Sequence, residues 1–331
     1  MIAGNPTRTG IAVPPSDRIA VIGAGHVGAT AAFALMLRAL TREIVLVDHD
    51  HARAAAEASD IADANALARP ATIWAGDYAD AAAARVAVIT AGTATQGAQS
   101  RLEVLSSSAA IVRSCVTQLC GAGFTGVLVI ASNPVDLMTM VALECSGLPP
   151  ERVIGTGTLL DTSRLRVALA QQLGVAPNAV HAQVLGEHGD SEVALFSSAR
   201  IGGVTLAEFS PEGRDLDQPA LTESVRTAAY GLLAGKGYTS FGVAAAIVRI
   251  CEAIVRDENA LLPVSSRLTD PDGLPDICMS LPCIVGAAGI EQVLNPATNP
   301  AEAAALAASA AKLRAAYAAH LAGQKVAIAD E

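Results

Sequence analysis

Residues 18–28 read RIAVIGAGHVG, and this stretch decides the fold of the first half of the chain. Its first six residues form a short, largely apolar and β-branched run, which is typical of a strand buried between two layers of helices. The Ala-rich run Ala29–Ala39 follows and predicts a helix. Between the two, Gly23, Gly25 and Gly28 fit the pattern G-x-G-x-x-G. Because the pattern joins a strand to a helix, it predicts a turn that binds a dinucleotide.

Each glycine of this turn has its own physical role. The first permits the tight turn, the second lets a pyrophosphate approach the backbone, and the third lets the helix pack on the strand. The N-terminus of the helix supplies free N–H groups for the anion. Twenty residues after Gly28, Asp48 ends the next predicted strand, where its carboxylate can accept hydrogen bonds from the adenosine ribose. A carboxylate there repels a 2′-phosphate, and no arginine is expected nearby to receive one. The sequence therefore predicts NAD in preference to NADP.

The same alternation of strands and helices continues through the first half of the chain. It predicts an α/β fold built on a doubly wound parallel sheet, the Rossmann architecture. The predicted strands are Arg18–Gly23, Glu43–Asp48, Val86–Thr90 and Val127–Ser132, and the predicted helices are Ala29–Ala39, Ala52–Ala66 and Val104–Gly121.

After about residue 155 the pattern changes to that of an α+β domain. We therefore predict an N-terminal arm at 1–17, a Rossmann domain at 18–155 and an α+β substrate domain at 156–331. Two long helices are predicted in this half, from Thr239 to about Asp257 and from about Pro300 to Leu321. The strands predicted there are Val180–Leu185, Ala194–Ser197, Val204–Leu206, Leu261–Ser266 and Ile277–Val285.

The composition argues against several classes of protein. With 331 residues, 52% hydrophobic and 16% charged, the chain can bury two cores and is unlike a disordered sequence. A net charge of −10 without a Lys/Arg cluster argues against a nucleic-acid partner. The first 17 residues lack the apolar core of a secretory signal, and the uncharged run Ile19–Leu37 is better explained by a strand, a turn and a helix than by a membrane span. The six cysteines form no C-x-x-C pair, which predicts reduced thiols in a cytoplasmic protein.

The run Asp48-His49-Asp50-His51 contains residue types that can ligate a metal ion. Metal ligands must converge on one point, whereas alternating residues at the end of a strand point in opposite directions. Asp48 already has a role at the ribose. We therefore interpret the other three as solvated loop residues and expect no metal.

Three further stretches carry the residue types of a reactive site. Gly186-Glu187-His188-Gly189-Asp190-Ser191 places a histidine between glycines directly after a predicted strand. Leu160-Asp161-Thr162-Ser163-Arg164 places a carboxylate and a guanidinium three residues apart, on one face of a helix. Ser100-Arg101-Leu102 follows the loop from Gly92 to Gly97, a loop of the kind that closes over a ligand.

With these stretches the chain resembles the L-lactate and malate dehydrogenase family over essentially its whole length from residue 18. Val153–Arg164 and Lys236–Arg249 are more similar to the lactate and L-2-hydroxyisocaproate branch than to the malate branch. The resemblance implies an NAD-dependent enzyme that moves a hydride between the cofactor and C2 of a small 2-oxo or 2-hydroxy acid. The family signatures present are GAGHVG (23–28), SNPVD (132–136), LDTSRLR (160–166), GEHGDS (186–191) and KGYTS (236–240).

The resemblance also implies roles for four catalytic residues. His188 gives a proton to the substrate carbonyl in reduction and takes it back in oxidation, because the pKa of an imidazole lies near the operating pH. Asp161 orients His188 and stabilises its protonated form. Arg164 holds the substrate carboxylate with a two-point fork that lysine does not offer. Arg101, on the mobile loop, polarises the carbonyl oxygen as charge develops on it.

Further contacts follow from the resemblance. Asn133 is expected at the nicotinamide ribose and the substrate oxygen, and Thr239 in the substrate pocket. Thr95 stands, counted back from Arg101, where lactate dehydrogenases carry Gln and malate dehydrogenases carry Arg, so oxaloacetate should be a poor substrate beside pyruvate or larger apolar 2-oxo acids. Gln96 is adjacent, and a shift by one residue would restore the lactate pattern. The expected cofactor contacts are Gly23, Gly25, His26, Val27, Gly28, Asp48, Thr90, Ala91, Gly92 and Asn133.

The chain departs from the family in the mobile loop, where Ala98-Gln99 replaces the usual Gly-Glu. Loop closure and substrate range are therefore left open. Arg166 and His181 stand where some bacterial lactate dehydrogenases bind an activating sugar bisphosphate between subunits, although members without that control carry the same residue types. The family forms dimers or tetramers, so a homo-oligomer is expected. Two alternatives are a malate dehydrogenase and a non-catalytic protein that binds NAD for sensing or structure, and the catalytic residues retained here disfavour the second.

Overall fold

Strands and helices alternate along the N-terminal half of the chain. The computed structural model describes residues 17–93, 101–209, 216–269 and 276–329, and all elements named here lie within them. The strands of this half are β1 (Arg18–Ile22), β2 (Glu43–Val47), β3 (Thr72–Ala75), β4 (Val86–Ile89), β5 (Val127–Ile130) and β6 (Val153–Gly155). The helices are α1 (His26–Leu37), α2 (His51–Asn65), α3 (Tyr78–Ala82), α4 (Arg101–Gly121), α5 (Val135–Ser146) and α6 (Leu159–Leu173).

The first six strands are all parallel and lie side by side in the order β3-β2-β1-β4-β5-β6. This is the order of a doubly wound sheet, and it confirms the predicted fold class. Successive residues of β1 lie in two different cores, Ile19 and Val21 in one and Ala20 and Ile22 in the other. Both faces of the sheet are therefore covered, which explains why its strands are apolar at every position.

The C-terminal half adds strands β7 (Val180–Leu185), β8 (Val193–Ile201), β9 (Val204–Thr205), β10 (Ala260–Leu268), β11 (Ile277–Gly286) and β12 (Gly289–Val293). Its helices are α7 (Leu206–Phe209), α8 (Gln218–Lys236), α9 (Phe241–Val255) and α10 (Pro300–Ala329). Strands β7 to β9 form a separate antiparallel sheet. Strands β10 to β12 instead extend the large sheet, because Ser265 of β10 pairs antiparallel with Gly155 of β6. Residues on both sides of position 155 thus share one sheet, and the division at that position stays a prediction.

The structure contains elements that the sequence analysis did not predict. The four-residue strand β3 lies at the sheet edge with no fully buried residue, so its hydrophobic pattern is weak. Helix α8 buries only Leu221 and Val225 among its 19 residues, so few of its apolar side chains face a core. Strand β8 runs from Val193 to Ile201, well beyond the predicted Ala194–Ser197, because its second half pairs with β9.

The uncharged run Ile19–Leu37 is the strand β1, the glycine-rich turn and the helix α1, as predicted. None of the helices in the described residues combines the length and the apolar character needed to cross a membrane. The carboxyl ends of the parallel strands carry the glycine-rich turn and the loops after β4 and β5. Ligands of open α/β sheets bind at this edge, and the site is built there.

Candidate active site

The turn between β1 and α1 has the backbone that its three glycines were predicted to allow. Gly23 has φ +106°, a left-handed value that side chains rarely adopt, and a Cβ on it would lie 2.6 Å from the Ala91 nitrogen. A Cβ on Gly28 would lie 1.8 Å from the Gly23 carbonyl oxygen. At Gly25, by contrast, a Cβ would meet no atom within 4 Å. Gly23 and Gly28 therefore serve the fold, whereas Gly25 keeps a space open above the turn.

The N-terminus of α1 suits an anion. Gly25 is its N-cap, no side chain caps the helix, and its first turn holds no acidic residue. The free N–H groups of the first turn therefore lack side-chain acceptors, and the helix dipole adds positive potential at the same place. A pyrophosphate seated over Gly25 fits both observations.

Asp48 braces this turn from the end of β2. Its Oδ2 accepts a hydrogen bond of 2.6 Å from the Ala24 nitrogen, and its Oδ1 accepts one of 2.9 Å from the Asp50 nitrogen. His49 Nδ1 lies 2.8 Å from Oδ1. Asp50 in turn caps helix α2 by accepting from the Arg53 nitrogen. Asp48, His49 and Asp50 thus hold local structure, and the ribose role of Asp48 stays a prediction.

A cavity of 640 Å³ opens beside the turn. Of the residues expected at the cofactor, Gly23, Gly25, Asp48, Thr90, Ala91 and Gly92 line it. The other four expected contacts, His26, Val27, Gly28 and Asn133, are not among the lining residues. The ring of His26 stacks on Tyr238 with centroids 3.8 Å apart. Among the lining residues that the sequence did not predict are Arg53, Tyr78, Cys115 and Gln118.

Arg53 corrects the expectation that no arginine lies near Asp48, since both residues line the same cavity. Arg53 stands five residues after Asp48, in the first turn of α2, so the spacing was visible in the sequence. Tyr78 and Cys115 come from α3 and α4, and burial raises the pKa of both side chains, so they line the cavity as neutral groups. Their approach depends on tertiary packing and left no local signal.

A second cluster forms where β7 ends and α6 begins. Asp161, 2% exposed, lies in the first turn of α6, and His188 lies in the turn after β7. His188 Nδ1 lies 2.6 Å from Asp161 Oδ2, and Arg164 Nη1 donates to Asp161 Oδ1 at 2.9 Å. The structure therefore brings together three of the predicted residues. Because both carboxylate oxygens of Asp161 already face a cationic or proton-bearing partner, we assign no metal to this cluster.

The turn that carries His188 is fixed from two other sides. The backbone nitrogen of His188 donates to Asp136 Oδ2 at 2.8 Å, and Ser265 Oγ donates to Asp136 Oδ1 at 2.6 Å. On the opposite side, the Glu187 nitrogen donates to Ser309 Oγ at 2.8 Å, and Lys312 Nζ lies 3.0 Å from Glu187 Oε2. Asp136 stands in the quoted SNPVD signature, but only the fold shows that it holds a turn 52 residues away.

Electrostatics favour the protonated form of His188. Burial by itself would lower its pKa, but the charge and hydrogen bond of Asp161, followed by the charges of Asp136 and Glu192, raise the pKa to about 9. Burial would raise the pKa of Asp161, and the neighbouring His188 and Arg164 hold it below its usual value instead. Burial also raises the pKa of Asp136 to about 6, against its hydrogen bonds from Ser265 and His188. His188 is thus poised to donate a proton.

A small cavity of 30 Å³ connects this cluster with the large sheet. Asn133, His188, Thr156 and Leu160 are among the residues that line it, whereas Thr239 is not. Arg101 begins α4, but its side chain and residues 94–100, including Thr95 and Ala98-Gln99, lie outside what the structure describes. Arg166 Nε donates to the Ala182 carbonyl at 2.9 Å, next to His181 on β7.

The arrangement as a whole combines an anion-binding turn with a proton donor. The carboxylate-supported imidazole of His188 and the amide of Asn133 line one small cavity at the carboxyl edge of the sheet, and the guanidinium of Arg164 joins them through Asp161 with donors to spare. A group that donates a proton beside a fixed cation suits the reduction of a carbonyl that carries a neighbouring carboxylate.

Comparison with known proteins gives matches over both halves. The NAD binding domain of lactate/malate dehydrogenase matches residues 17–155, and the alpha/beta C-terminal domain of the same family matches residues 158–324. An L-lactate dehydrogenase of Thermus aquaticus is 44% identical over 301 residues, which are 90% of this chain and 97% of that protein. One from Nitratidesulfovibrio vulgaris is 43% identical over 298 residues, 89% of this chain and 96% of that protein. The crystal structure of the minor L-lactate dehydrogenase from Enterococcus mundtii with bound ligands has a TM-score of 0.88 at 36% identity, and the match covers 92% of this chain and 98% of that one.

Proposed function

Because this chain belongs to the lactate/malate dehydrogenase family, we propose that it is an NAD-dependent L-2-hydroxyacid dehydrogenase of the L-lactate type. The observation that carries the proposal is the cluster of Asp161, Arg164 and His188. Its histidine lines a cavity with Asn133 and Thr156, which follow β5 and β6 at the sheet edge that also carries the glycine-rich turn. A protein that only bound NAD would need neither a histidine held by a carboxylate, as His188 is held by Asp161, nor an arginine beside it that can bind a substrate carboxylate. The relatives named L-lactate dehydrogenase support a dehydrogenase of the L-lactate type over a malate dehydrogenase.

In the proposed reduction, the substrate carbonyl oxygen lies at Nε2 of His188. Asp161 occupies Nδ1, so the proton that moves is the one on Nε2. When bound, NADH would supply the hydride for C2, and His188 supplies the proton for the oxygen. NADH, a 2-oxo acid and a proton are thereby converted to NAD and the 2-hydroxy acid. Oxidation runs the same transfers in reverse, with neutral His188 as the acceptor.

Arg164 is the proposed clamp of the substrate carboxylate. One of its nitrogens is engaged with Asp161, and the remaining donors of a guanidinium are enough for a two-point fork. We further propose that Arg101 closes over the carbonyl oxygen, that Asn133 contacts it from the sheet side, and that Thr239 lines the pocket. The shared cavity of Asn133 and His188 supports the second of these assignments.

We propose a substrate with an uncharged side chain, pyruvate or a larger apolar 2-oxo acid. Thr95 offers no cation to the second carboxylate of oxaloacetate, and an unpaired buried carboxylate costs several kcal/mol. Thr is also shorter than the Gln of most lactate dehydrogenases, and each further buried methylene contributes about 0.8 kcal/mol.

The test is kcat/KM for pyruvate, 2-oxoisocaproate and oxaloacetate with NADH, on the wild type and on Thr95→Arg. We expect the wild type to prefer pyruvate or 2-oxoisocaproate and Thr95→Arg to gain activity on oxaloacetate. Oxaloacetate as the best wild-type substrate would overturn the assignment to the lactate type. An unchanged oxaloacetate rate in Thr95→Arg would show that this position does not select the substrate. Gln96→Arg is the matched control for a loop register displaced by one residue.

We also propose that the protein is a cytoplasmic homo-oligomer, a dimer or a tetramer. Six free cysteines suit a reducing compartment. Large apolar side chains are exposed on α1, α8 and α9, among them Leu37 at 56%, Tyr230 at 53% and Phe241 at 73%. Size-exclusion chromatography with light scattering should give a multiple of the 33.5 kDa chain mass. A monomer at micromolar concentration would contradict the proposal.

A further inference from the structure

Glu192 is a buried carboxyl group that the proposed mechanism does not use. It precedes β8, four residues after His188, and its backbone nitrogen donates to the Gly189 carbonyl at 3.2 Å. The residue is 6% exposed, and within the described ranges its buried Oε1 has no hydrogen-bond partner. Leaving a buried polar atom unpaired costs about 1–3 kcal/mol, so such groups are rare and call for an explanation.

The carboxyl of Glu192 lies at the catalytic cluster. One side-chain oxygen or nitrogen from each of Asp161, His188 and Glu192 falls within 4.8 Å of the other two. Arg226 of α8 is a further charged neighbour of Glu192. Its Nε is also buried without a partner in the described residues, and its Nη1 donates to Glu223. Glu192 therefore lies near the imidazole of His188 and interacts electrostatically with the guanidinium of Arg226, and among the described residues its Oε1 is hydrogen-bonded to neither.

We propose that Glu192 is a positioning residue that keeps His188 protonated when the surrounding solution becomes alkaline. The inference rests on the proposed function, because it concerns the proton that His188 donates. The step involves only proton release: Glu192 loses its proton to solvent, and its new negative charge then holds the proton of His188. A second carboxylate beside the pair of Asp161 and His188 thereby extends the pH range over which the 2-oxo acid is reduced.

The electrostatics of the surrounding elements agree with this role. Burial, with the charge of Asp161 added, raises the pKa of Glu192 to about 8, while His188, Arg226 and Arg164 act in the opposite direction. The pKa values of Glu192 and His188 are therefore both above their usual ranges, and the charge of each group favours the charged form of the other. Among the described residues, the other charged groups around His188 include Asp161 and Arg164 from α6, Asp136 from α5, and the ion pair of Glu187 with Lys312 from α10.

The test uses Glu192→Gln, which removes the charge and keeps the shape. The pH dependence of kcat/KM for pyruvate should keep its form, and the midpoint of its alkaline decline should move down by about one pH unit, a tenfold change in the proton affinity of His188. Glu192→Asp, which retains a carboxylate, should restore most of the wild-type midpoint. Glu223→Gln is the matched control, because it removes an exposed carboxylate next to Arg226, and its midpoint should equal that of the wild type.

A second readout does not depend on turnover. The ring-carbon resonance of His188, assigned with His188→Asn and followed by NMR against pH, should titrate lower in Glu192→Gln by the same amount. If the titration midpoint of His188 were the same in Glu192→Gln as in the wild type, the inference would be overturned. A shift in Glu192→Asp as large as that in Glu192→Gln would overturn it too, because packing and not charge would then set the midpoint. A wild-type protein without activity on any 2-oxo acid would overturn the proposed function instead, and the titration would still test Glu192.

Discussion

Replacing Gly25 and Gly28 separately with alanine distinguishes the binding role of the glycine-rich turn from its structural role. At Gly25 the backbone has φ −79° and ψ −172°, which alanine adopts readily, and the added Cβ meets nothing within 4 Å. We therefore expect Gly25→Ala to change the free energy of unfolding by less than about 1 kcal/mol, toward greater stability, because alanine restricts the unfolded chain. At Gly28 the same Cβ would lie 1.8 Å from the Gly23 carbonyl oxygen, so the turn has to move. We expect that to cost about 3 kcal/mol or more, at the upper end of overpacking costs.

The effect on cofactor binding should separate from the effect on stability. If a pyrophosphate rests on the backbone at Gly25, the new methyl group occupies its place, at an overpacking cost of about 1–3 kcal/mol, or roughly a 5- to 150-fold weaker Kd for NADH. Urea unfolding measures the first quantity and NADH fluorescence titration the second. Wild-type NADH affinity in Gly25→Ala would refute the placement of the pyrophosphate, and a stability loss in Gly25→Ala equal to that in Gly28→Ala would refute the structural distinction.

Three further predictions concern single side chains. The wild type should have a higher kcat/KM with NADH than with NADPH, and equal values with the two cofactors would contradict the role of Asp48. Asp48→Ser should reduce the ratio of the two values, because Arg53, which lines the same cavity, can then face a 2′-phosphate. Arg164→Lys should raise KM for pyruvate far more than it lowers kcat, because the two-point fork is lost, and an unchanged KM would remove Arg164 from the clamp. Glu192→Gln should have a larger free energy of unfolding than the wild type. Burial raises the pKa of the Glu192 carboxyl, so the wild type loses stability as the pH rises from about 4.5 to about 8. The advantage of the variant should therefore grow over this pH range and reach a few kcal/mol. If the unfolding free energies of Glu192→Gln and the wild type differed by the same amount at all these pH values, the buried charge of Glu192 would not be the cause of the difference.

The parts of the molecule that were predictable from sequence are those whose cause is local. The glycine-rich turn follows from backbone requirements at three neighbouring positions, and strand β7 was predicted with the bounds it has, because apolar residues flanked by turn signals mark it. The pairing of Asp161 with Arg164 follows from helical spacing. His188 could be placed beside them only through the family resemblance, since 27 residues separate it from Asp161.

What the sequence analysis missed depends on contacts between distant elements. Asp136 and Ser265 are 129 residues apart, and their hydrogen bond appears only when β10 joins the edge of the parallel sheet. Glu192 resembles a solvated residue in a polar turn until α6 and α8 are packed around it. His26 stays a predicted cofactor contact, and the stack of its ring on Tyr238, in the loop before α9, was not predictable from its place in the turn.

The central claim is that His188 transfers the proton of the reaction while the cofactor site works independently of it. Its most direct test is the rate of NADH oxidation by pyruvate for the wild type and for His188→Asn, together with the NADH Kd of both proteins. We expect His188→Asn to lower kcat by roughly 10²- to 10⁴-fold, the range for losing a general acid, with the NADH Kd nearly unchanged. Wild-type turnover in His188→Asn would contradict the account, and so would a loss of activity fully explained by a loss of NADH binding.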